Sequence, residues 1–314
     1  MVGIISQLLS LFKQTTKQKY ACLTVIQLFL FIFTKYYQIM TIQSANLHHS
    51  DRNFDPIADH FAKKVYGGLK GQIRLAVLER DISQMVSALA GTLNRPLRIL
   101  DVGAGLAQIS LNLAKHHHCT INDISANMID KAKQSSADQG LNDIRFIVCP
   151  YQELPSAIQG EKFDLILCHA VLEWLGEPEQ IMDFFDEFLV DGGALSLCFY
   201  NPASLIYRNL VMGNFYQLDK PKPADSKSLT PNNPVSSDDV ESWLSAHHYH
   251  VQARSGIRVF SDYAPLRRGG LNNPDDVIAM ELKYSTQLPF RLMGRYLHII
   301  ATKFTKTDTD QARH

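Results

Sequence analysis

The stretch RILDVGAGLAQISLNLA, Arg98 to Ala114, decides the fold. The apolar residues Ile99, Leu100 and Val102 carry Asp101 into two closely spaced glycines, Gly103 and Gly105, and an amphipathic pattern follows. A short apolar run bounded by glycine reads as a buried strand, and the 3.6-residue period after it as a helix. Glycine at the junction lets the backbone turn tightly and approach a ligand closely. Strand, glycine turn and helix together form a cradle for a nucleotide-like molecule.

Downstream the pattern repeats. CTIND (119–123), RFIVC (145–149), FDLILCHA (163–170) and ALSLCFY (194–200) read as strands. Between them, 125–140 reads as a helix capped by Ser125 and stopped by Gly140, and 178–193 as a helix stopped by Gly192-Gly193. Further on, 237–249 and 274–287 read as helices, 250–263 as a strand with its exit turn, and RYLHIIATKF (295–304) as the strand that closes the sheet. The spacing predicts an α/β fold: a doubly wound, mainly parallel seven-stranded sheet whose ligand lies at the carboxyl ends of the strands. Upstream, 70–90 places Ile73, Val77, Ile82, Met85, Val86 and Leu89 near one helical stripe, interrupted by Arg74. An arginine there suits a ligand carboxylate as a bidentate fork.

The chain has 314 residues, 46% hydrophobic and 20% charged, with no net charge. That excludes a protein built to coat a polyanion over its whole surface, and no DNA partner is expected. Charge is uneven: 6 Lys and Arg face 15 Asp and Glu across 96–200, while 1–95 and 201–314 are basic. Basic flanks around an acidic core suit an anionic partner held by appendages, and equally suit solvated faces of different sign. The five cysteines form no CxxC pair and read as small core residues of a reducing compartment. His116-His117-His118 stands where a helix should end and shows no zinc-type spacing to an acid or cysteine, so no metal is expected.

Residues 1–47 read as an N-terminal extension. ACLTVIQLFLFIF (21–33) is too short for a spanning helix, and no small-residue cleavage site follows it. A translation start at Met40 is the favoured reading and a membrane-surface anchor the second, so a cytoplasmic protein without stable membrane association is expected. Residues 48–304 read as the catalytic domain, with cap elements at 51–72 and 201–236, and 305–314 as a polar tail. In the first cap, aromatics, Lys63-Lys64 and glycines fit a helical lid or a surface turn; the second holds a long Pro/Ser/Lys-rich loop.

Glycine spacing narrows the ligand. A dinucleotide site wants G-x-G-x-x-G; here Gln108 stands at the third glycine position, and no Gly-Lys-Ser/Thr exists for a phosphate loop. Asp123, at the end of the second strand, is placed to accept from two ribose hydroxyls, which suits NAD as well as an adenosine without pyrophosphate. Asp101-x-Gly103-x-Gly105-x-Ala107 resembles the first motif of class I (Rossmann-like) S-adenosylmethionine-dependent methyltransferases, with Ala107 at their usual third glycine.

Several stretches outside the cradle carry a closer likeness: DRNFDPIADHFAKKVYG (51–67), KGQIR (70–74), CHAVLEW (168–174), GGALSLCFYN (192–201), GNF (213–215), GIRVFSDY (256–263) and MGRYLHIIA (293–301). From about Asp51 to Lys303 the chain resembles the bacterial tRNA 5-carboxymethoxyuridine methyltransferases. The resemblance implies S-adenosyl-L-methionine as methyl donor, with Arg74, Gly103, Ala104, Asp123, Tyr151, Gln152 and His169 as its contacts. It implies tRNA processing at the wobble uridine: methylation of the 5-carboxymethoxyuridine carboxylate to the ester 5-methoxycarbonylmethoxyuridine.

That carboxylate is ionised at pH 7, so no general base is required. A cation must orient it. Arg258 and Arg295 are the candidates, with Tyr200 and Tyr263 as hydroxyl donors. An anticodon loop would stack unpaired bases on aromatics and rest phosphates on cations. Phe215, Tyr216 and Phe260 offer the faces, and Lys220, Lys222, Lys227, Arg267 and Arg268 the charges. The alternative is methylation of a small-molecule carboxylate or hydroxyl, which shares the cradle and needs no RNA.

Overall fold

A computed structural model describes residues 51–55, 67–219, 231, 233–264 and 269–304 of the chain. The N-terminal extension with Met40, Cys22 and the polar tail lie outside the described residues, as do Lys220, Lys222, Lys227, Arg267 and Arg268.

The strands are β1 (Arg98–Val102), β2 (His118–Asp123), β3 (Ile144–Val148), β4 (Phe163–His169), β5 (Leu189–Tyr200), β6 (Tyr249–Ile257) and β7 (Tyr296–Lys303). They form one sheet in the order β3-β2-β1-β4-β5-β7-β6. The first five are parallel; β7 runs antiparallel between β5 and β6. The last strand of the sequence therefore inserts inside the sheet and leaves β6 at the edge. The main helices are α1 (Gly68–Leu93), α2 (Gln108–Leu113), α3 (Ala126–Asp138), α4 (Leu154–Ile158), α5 (Ile181–Phe188), α6 (Pro202–Val211), α7 (Tyr216–Asp219), α8 (Ser237–Ala246) and α9 (Pro274–Tyr284).

Strand alternation splits the core in two. Ile99, Ile121, Leu165, Leu167 and Ile300 point to one face and are covered by Ile73, Val77, Leu78 and Ile82 of α1, Ile109 of α2 and Ile129 of α3. Leu100, Ile166, Leu195, Leu197 and Ile299 point to the other, under Phe184, Phe185 and Phe188 of α5 and Val240 and Leu244 of α8. Strands buried on both faces are why the sequence shows near-continuous apolar runs there. The caps are local: Ser125 Oγ accepts from Met128 N at 3.1 Å, and Asn94 ends α1 in the left-handed region at φ 49°.

Several boundaries differ from the sequence reading: the helix expected over 237–249 ends at Ala246 with Tyr249 opening β6, and that expected over 274–287 ends at Tyr284. The helix expected to run to Gly192-Gly193 ends at Phe188, and β5 begins at once. Leu189 pairs with Phe163, the next registered pair is Ala194 with Leu165, and the glycines sit inside that irregularity, Gly192 at φ 77°. They serve a bulge rather than a helix stop.

Candidate functional site

The turn after β1 is built by backbone geometry. Gly103 and Gly105 hold φ values of 64° and 56°. A Cβ on Gly103 would lie 2.4 Å from Val171 Cγ2, so the position is closed to side chains on two counts. Ala107 also sits in the left-handed region, at φ 56°, which accounts for the glycine found there in related motifs. Ala104 N donates to Asn122 O at 2.9 Å, tying the turn to the end of β2.

Asp123 completes the cradle. Its two carboxylate oxygens accept from Gly105 N at 2.7 Å and Ser125 N at 2.8 Å. The acid therefore fixes the glycine turn and the start of α3 together, and keeps lone pairs for a ligand. Burial raises its pKa, against those two backbone donors. Asp101, one strand over, is pushed up to about 7 by burial, opposed by Ser110 Oγ donating at 2.7 Å and reinforced by Asp123.

These groups line a cavity of about 740 Å³, partly open to solvent, with Arg74, Asp123, Tyr151 and His169 on its wall. Arg74 is only 5% exposed. Gly103, Arg74 and His169 also line a smaller adjoining hollow, which Ala104 joins although it does not line the larger cavity. Burial first, then His298 and Arg74, push the His169 imidazole well below its usual range, so it is neutral. Gln152 stands apart: it is exposed, and its amide donates to Asp51 Oδ2 at 2.7 Å.

The described part of the first cap, 51–55, runs across this cavity. Asp51 Oδ1 accepts from Gly176 N at 3.0 Å, Arg52 N donates to Trp174 O at 3.1 Å, and Asp55 accepts from Ser125 Oγ and from Asn127 N. Phe54 meets Trp174 edge-on, with the Arg52 guanidinium 5.0 Å from the Trp174 ring. This segment bridges the start of α3 to the turn after β4, as a lid would.

Two of the four substrate candidates, Arg258 and Arg295, meet at one acid. Asp262 lies 3.1 Å from Arg295 Nε, 3.6 Å from Arg258 Nη1 and 3.6 Å from Lys70 Nζ. Burial would raise its pKa, but Arg258, Lys70 and Arg295 outweigh that and hold it below the usual carboxylate range. Arg295 also donates to Tyr200 OH at 3.1 Å, and Tyr263 OH donates to Met293 O. Arg258 is held at φ 60°, a strained conformation for a long side chain. None of the four lines the cavity itself; Tyr296 links them to it, with the Arg74 and Arg258 guanidinium carbons 4.9 Å and 5.5 Å from its ring.

Sequence reading missed Asp262 and Glu173. Glu173 is 1% exposed, its Oε2 lacks a hydrogen-bond partner among the described residues, and burial lifts its pKa to about 7 against its own backbone amide, Arg74 and the backbone amide of Tyr200. The signal was a lone acid inside the apolar VLEWL.

A sequence pattern for a methyltransferase domain matches residues 93–246. The chain is 36% identical over 256 residues to the tRNA 5-carboxymethoxyuridine methyltransferase of Escherichia coli K12, covering 81% of this chain and 97% of that protein. The chain belongs to that family. Fold likeness extends further. The magnesium protoporphyrin IX methyltransferase of Synechocystis PCC 6803, solved with SAH bound, aligns with a TM-score of 0.51 at 16% identity, over 80% of this chain and 95% of that one. A plantazolicin methyltransferase solved with SAH and a substrate analogue aligns with a TM-score of 0.51 at 14% identity, over 86% and 99%. The sheet with its flanking helices is the class I methyltransferase fold that the family implies.

Proposed function

We propose that the chain methylates the carboxylate of 5-carboxymethoxyuridine at the tRNA wobble position, using S-adenosylmethionine and giving the methyl ester. The observation that carries this reading is likeness along 97% of a curated relative, including the caps outside the shared cradle. Methylation of a free small-molecule acid draws support only from the cradle.

The cavity fits such a donor. Asp123 would hold a ribose diol, Arg74 an amino-acid carboxylate, and Tyr151 with the backbone near Cys149 an adenine, beside the turn at Gly103 and Gly105, which carry no side chains. Ala104 and His169 flank the methionine end, and Gln152 acts through Asp51 at the lid. When bound, the donor supplies a methyl group on a positively charged sulfur.

The chain's own part is binding, orientation and exclusion of water. Arg258 and Arg295, steadied by Asp262, clamp the substrate carboxylate, with Tyr200 and Tyr263 beside it. Asp262 absorbs part of their charge, so the clamp orients the anion without quenching its nucleophilicity. The lid residues 51–55 keep the meeting of anion and cation dry, where loss of charge is favoured. Phe215 and Tyr216, 59% and 61% exposed on α7 and its approach, offer stacking faces for anticodon-loop bases. With no net charge on the whole protein, RNA affinity rests on local cations and falls steeply with salt.

The test is incubation of the purified protein with radiolabelled methyl donor and tRNA carrying the free acid. Label in a base-labile ester on the RNA is expected. Transfer to free carboxylic acids with none to tRNA would replace this reading with the small-molecule one.

A further inference from the structure

Arg258 stands at the start of a turn that is held from another helix. It follows β6 at φ 60°, in the left-handed region that long side chains rarely adopt. The next three backbone N–H groups converge on one carboxylate. Val259 N donates to Glu281 Oε2 at 2.6 Å, and Phe260 N and Ser261 N donate to Glu281 Oε1 at 3.3 Å and 2.9 Å. The residue after them is Asp262, the acid that Arg258 shares with Arg295. Successive amides pointing inward make a concavity for an acceptor, and a side chain of α9 fills it. Glu281 is fully buried. A backbone N–H only donates, so Glu281 accepts in all three bonds and their direction is fixed by the atoms alone.

Glu281 is itself anchored. Arg80 of α1 donates from Nη1 to Leu282 O at 2.9 Å and to Ser285 Oγ at 2.8 Å, and from Nη2 to Ser255 Oγ at 2.9 Å. Gly256 N donates to Ser285 O at 2.7 Å. The end of β6 and the end of α9 are thus joined before Arg258, and Glu281 joins them again after it. Arg295 has a different support: its backbone O accepts from Asn201 N at 3.0 Å, beside the paired strands β5 and β7. Loosening the Glu281 bonds therefore frees Arg258 first.

We propose that Glu281 is a positioning residue for the substrate clamp: by gathering the three amides between Arg258 and Asp262, it holds the Arg258 guanidinium where the carboxylate of the modified uridine is received. This rests on reading Arg258 as part of that clamp.

The experiment is a double-mutant cycle on the full chain. Native protein, Glu281→Gln, Arg258→Ala and the double variant are compared in methyl transfer to tRNA carrying 5-carboxymethoxyuridine, and in calorimetric binding of S-adenosylhomocysteine. Glu281→Gln keeps the size of the side chain but turns an NH₂ toward at least one of the three donors. Its KM for tRNA is expected to rise about 3- to 10-fold, with the S-adenosylhomocysteine Kd held within about 2-fold. In the Arg258→Ala background the same change should add less than about 2-fold, because the group it positions is gone. A Glu281 that serves the fold alone would weaken both backgrounds equally. That result overturns the proposal, as does a cofactor Kd that weakens in parallel. If Glu281→Gln does not fold, Glu281→Asp, which keeps the carboxylate and shortens its reach, replaces it in the cycle. Failure of both to fold makes Glu281 a residue of the fold only and overturns the proposal. Arg258→Ala impaired with Glu281→Gln unmoved is a failure of this proposal alone. Arg258→Ala with an unmoved KM is instead a failure of the clamp reading, and the proposal falls with it.

Discussion

Replacing Gly103 by Ala separates two costs that the turn after β1 imposes. The backbone at φ 64° charges any side chain about 1–2 kcal/mol for the left-handed conformation. The new methyl would also stand 2.4 Å from Val171 Cγ2, and valine is stiff about χ1, so relief requires displacing the turn after β4. Overpacking of this kind costs about 1–3 kcal/mol, so the total destabilisation expected is about 2–5 kcal/mol. Gly160 is the control: it has φ 77° with nothing among the described residues within 4 Å of a built Cβ, so Gly160→Ala meets the first cost alone. Urea unfolding of both variants gives the difference, and calorimetric titration with S-adenosylhomocysteine shows whether it reaches the cavity. Gly103→Ala is expected to lose more stability and to bind weakly; adding Val171→Ala returns the steric part. The reasoning is refuted if Gly103→Ala is no less stable than Gly160→Ala and binds the ligand normally.

Three further outcomes follow from the site. Asp123→Asn sets an amide NH₂ against one of two backbone donors, so the Kd for S-adenosylhomocysteine should rise about 10- to 150-fold by calorimetry; unchanged binding would remove Asp123 from the cradle. Arg258→Ala should raise the KM for tRNA about 10-fold or more while leaving the cofactor Kd alone, and equal loss of both would refute its place in the clamp. Asp101, raised to about 7, keeps its proton in the fold after the unfolded chain has released it, so its contribution lowers stability as pH climbs from about 4 to 7 and then levels off. Asp101→Asn should therefore be more stable than the native chain at pH 8, with the gain shrinking toward pH 5; a gain independent of pH in urea unfolding would contradict the assignment.

The sheet was legible because its evidence is local and periodic. Ile99, Leu100 and Val102 announce a doubly buried strand, Gly103 and Gly105 a turn, and Ser125 a helix start within a few residues of one another. What stayed hidden depends on pairing across the chain. Leu189 joins β5 because Phe163 lies beside it, so a helical pattern that continues to Val190 loses to a register no local window contains. His298 and Asp81 are 217 residues apart, and each looks like a lone polar residue in an apolar run until β7 is laid against α1. Asp262 likewise reads as a lone acid until Lys70, Arg258 and Arg295 are seen to converge on it. Residue type marked the glycine turn and its flanking elements; long-range topology was needed for the buried polar groups that converge behind them.

The central claim is an esterified wobble uridine made by this chain. Mass spectrometry of tRNA nucleosides from cells lacking the gene tests it directly. Free 5-carboxymethoxyuridine should accumulate and its methyl ester vanish, with both restored by the native gene and neither by Asp123→Asn. A nucleoside profile unchanged by the deletion would contradict the account.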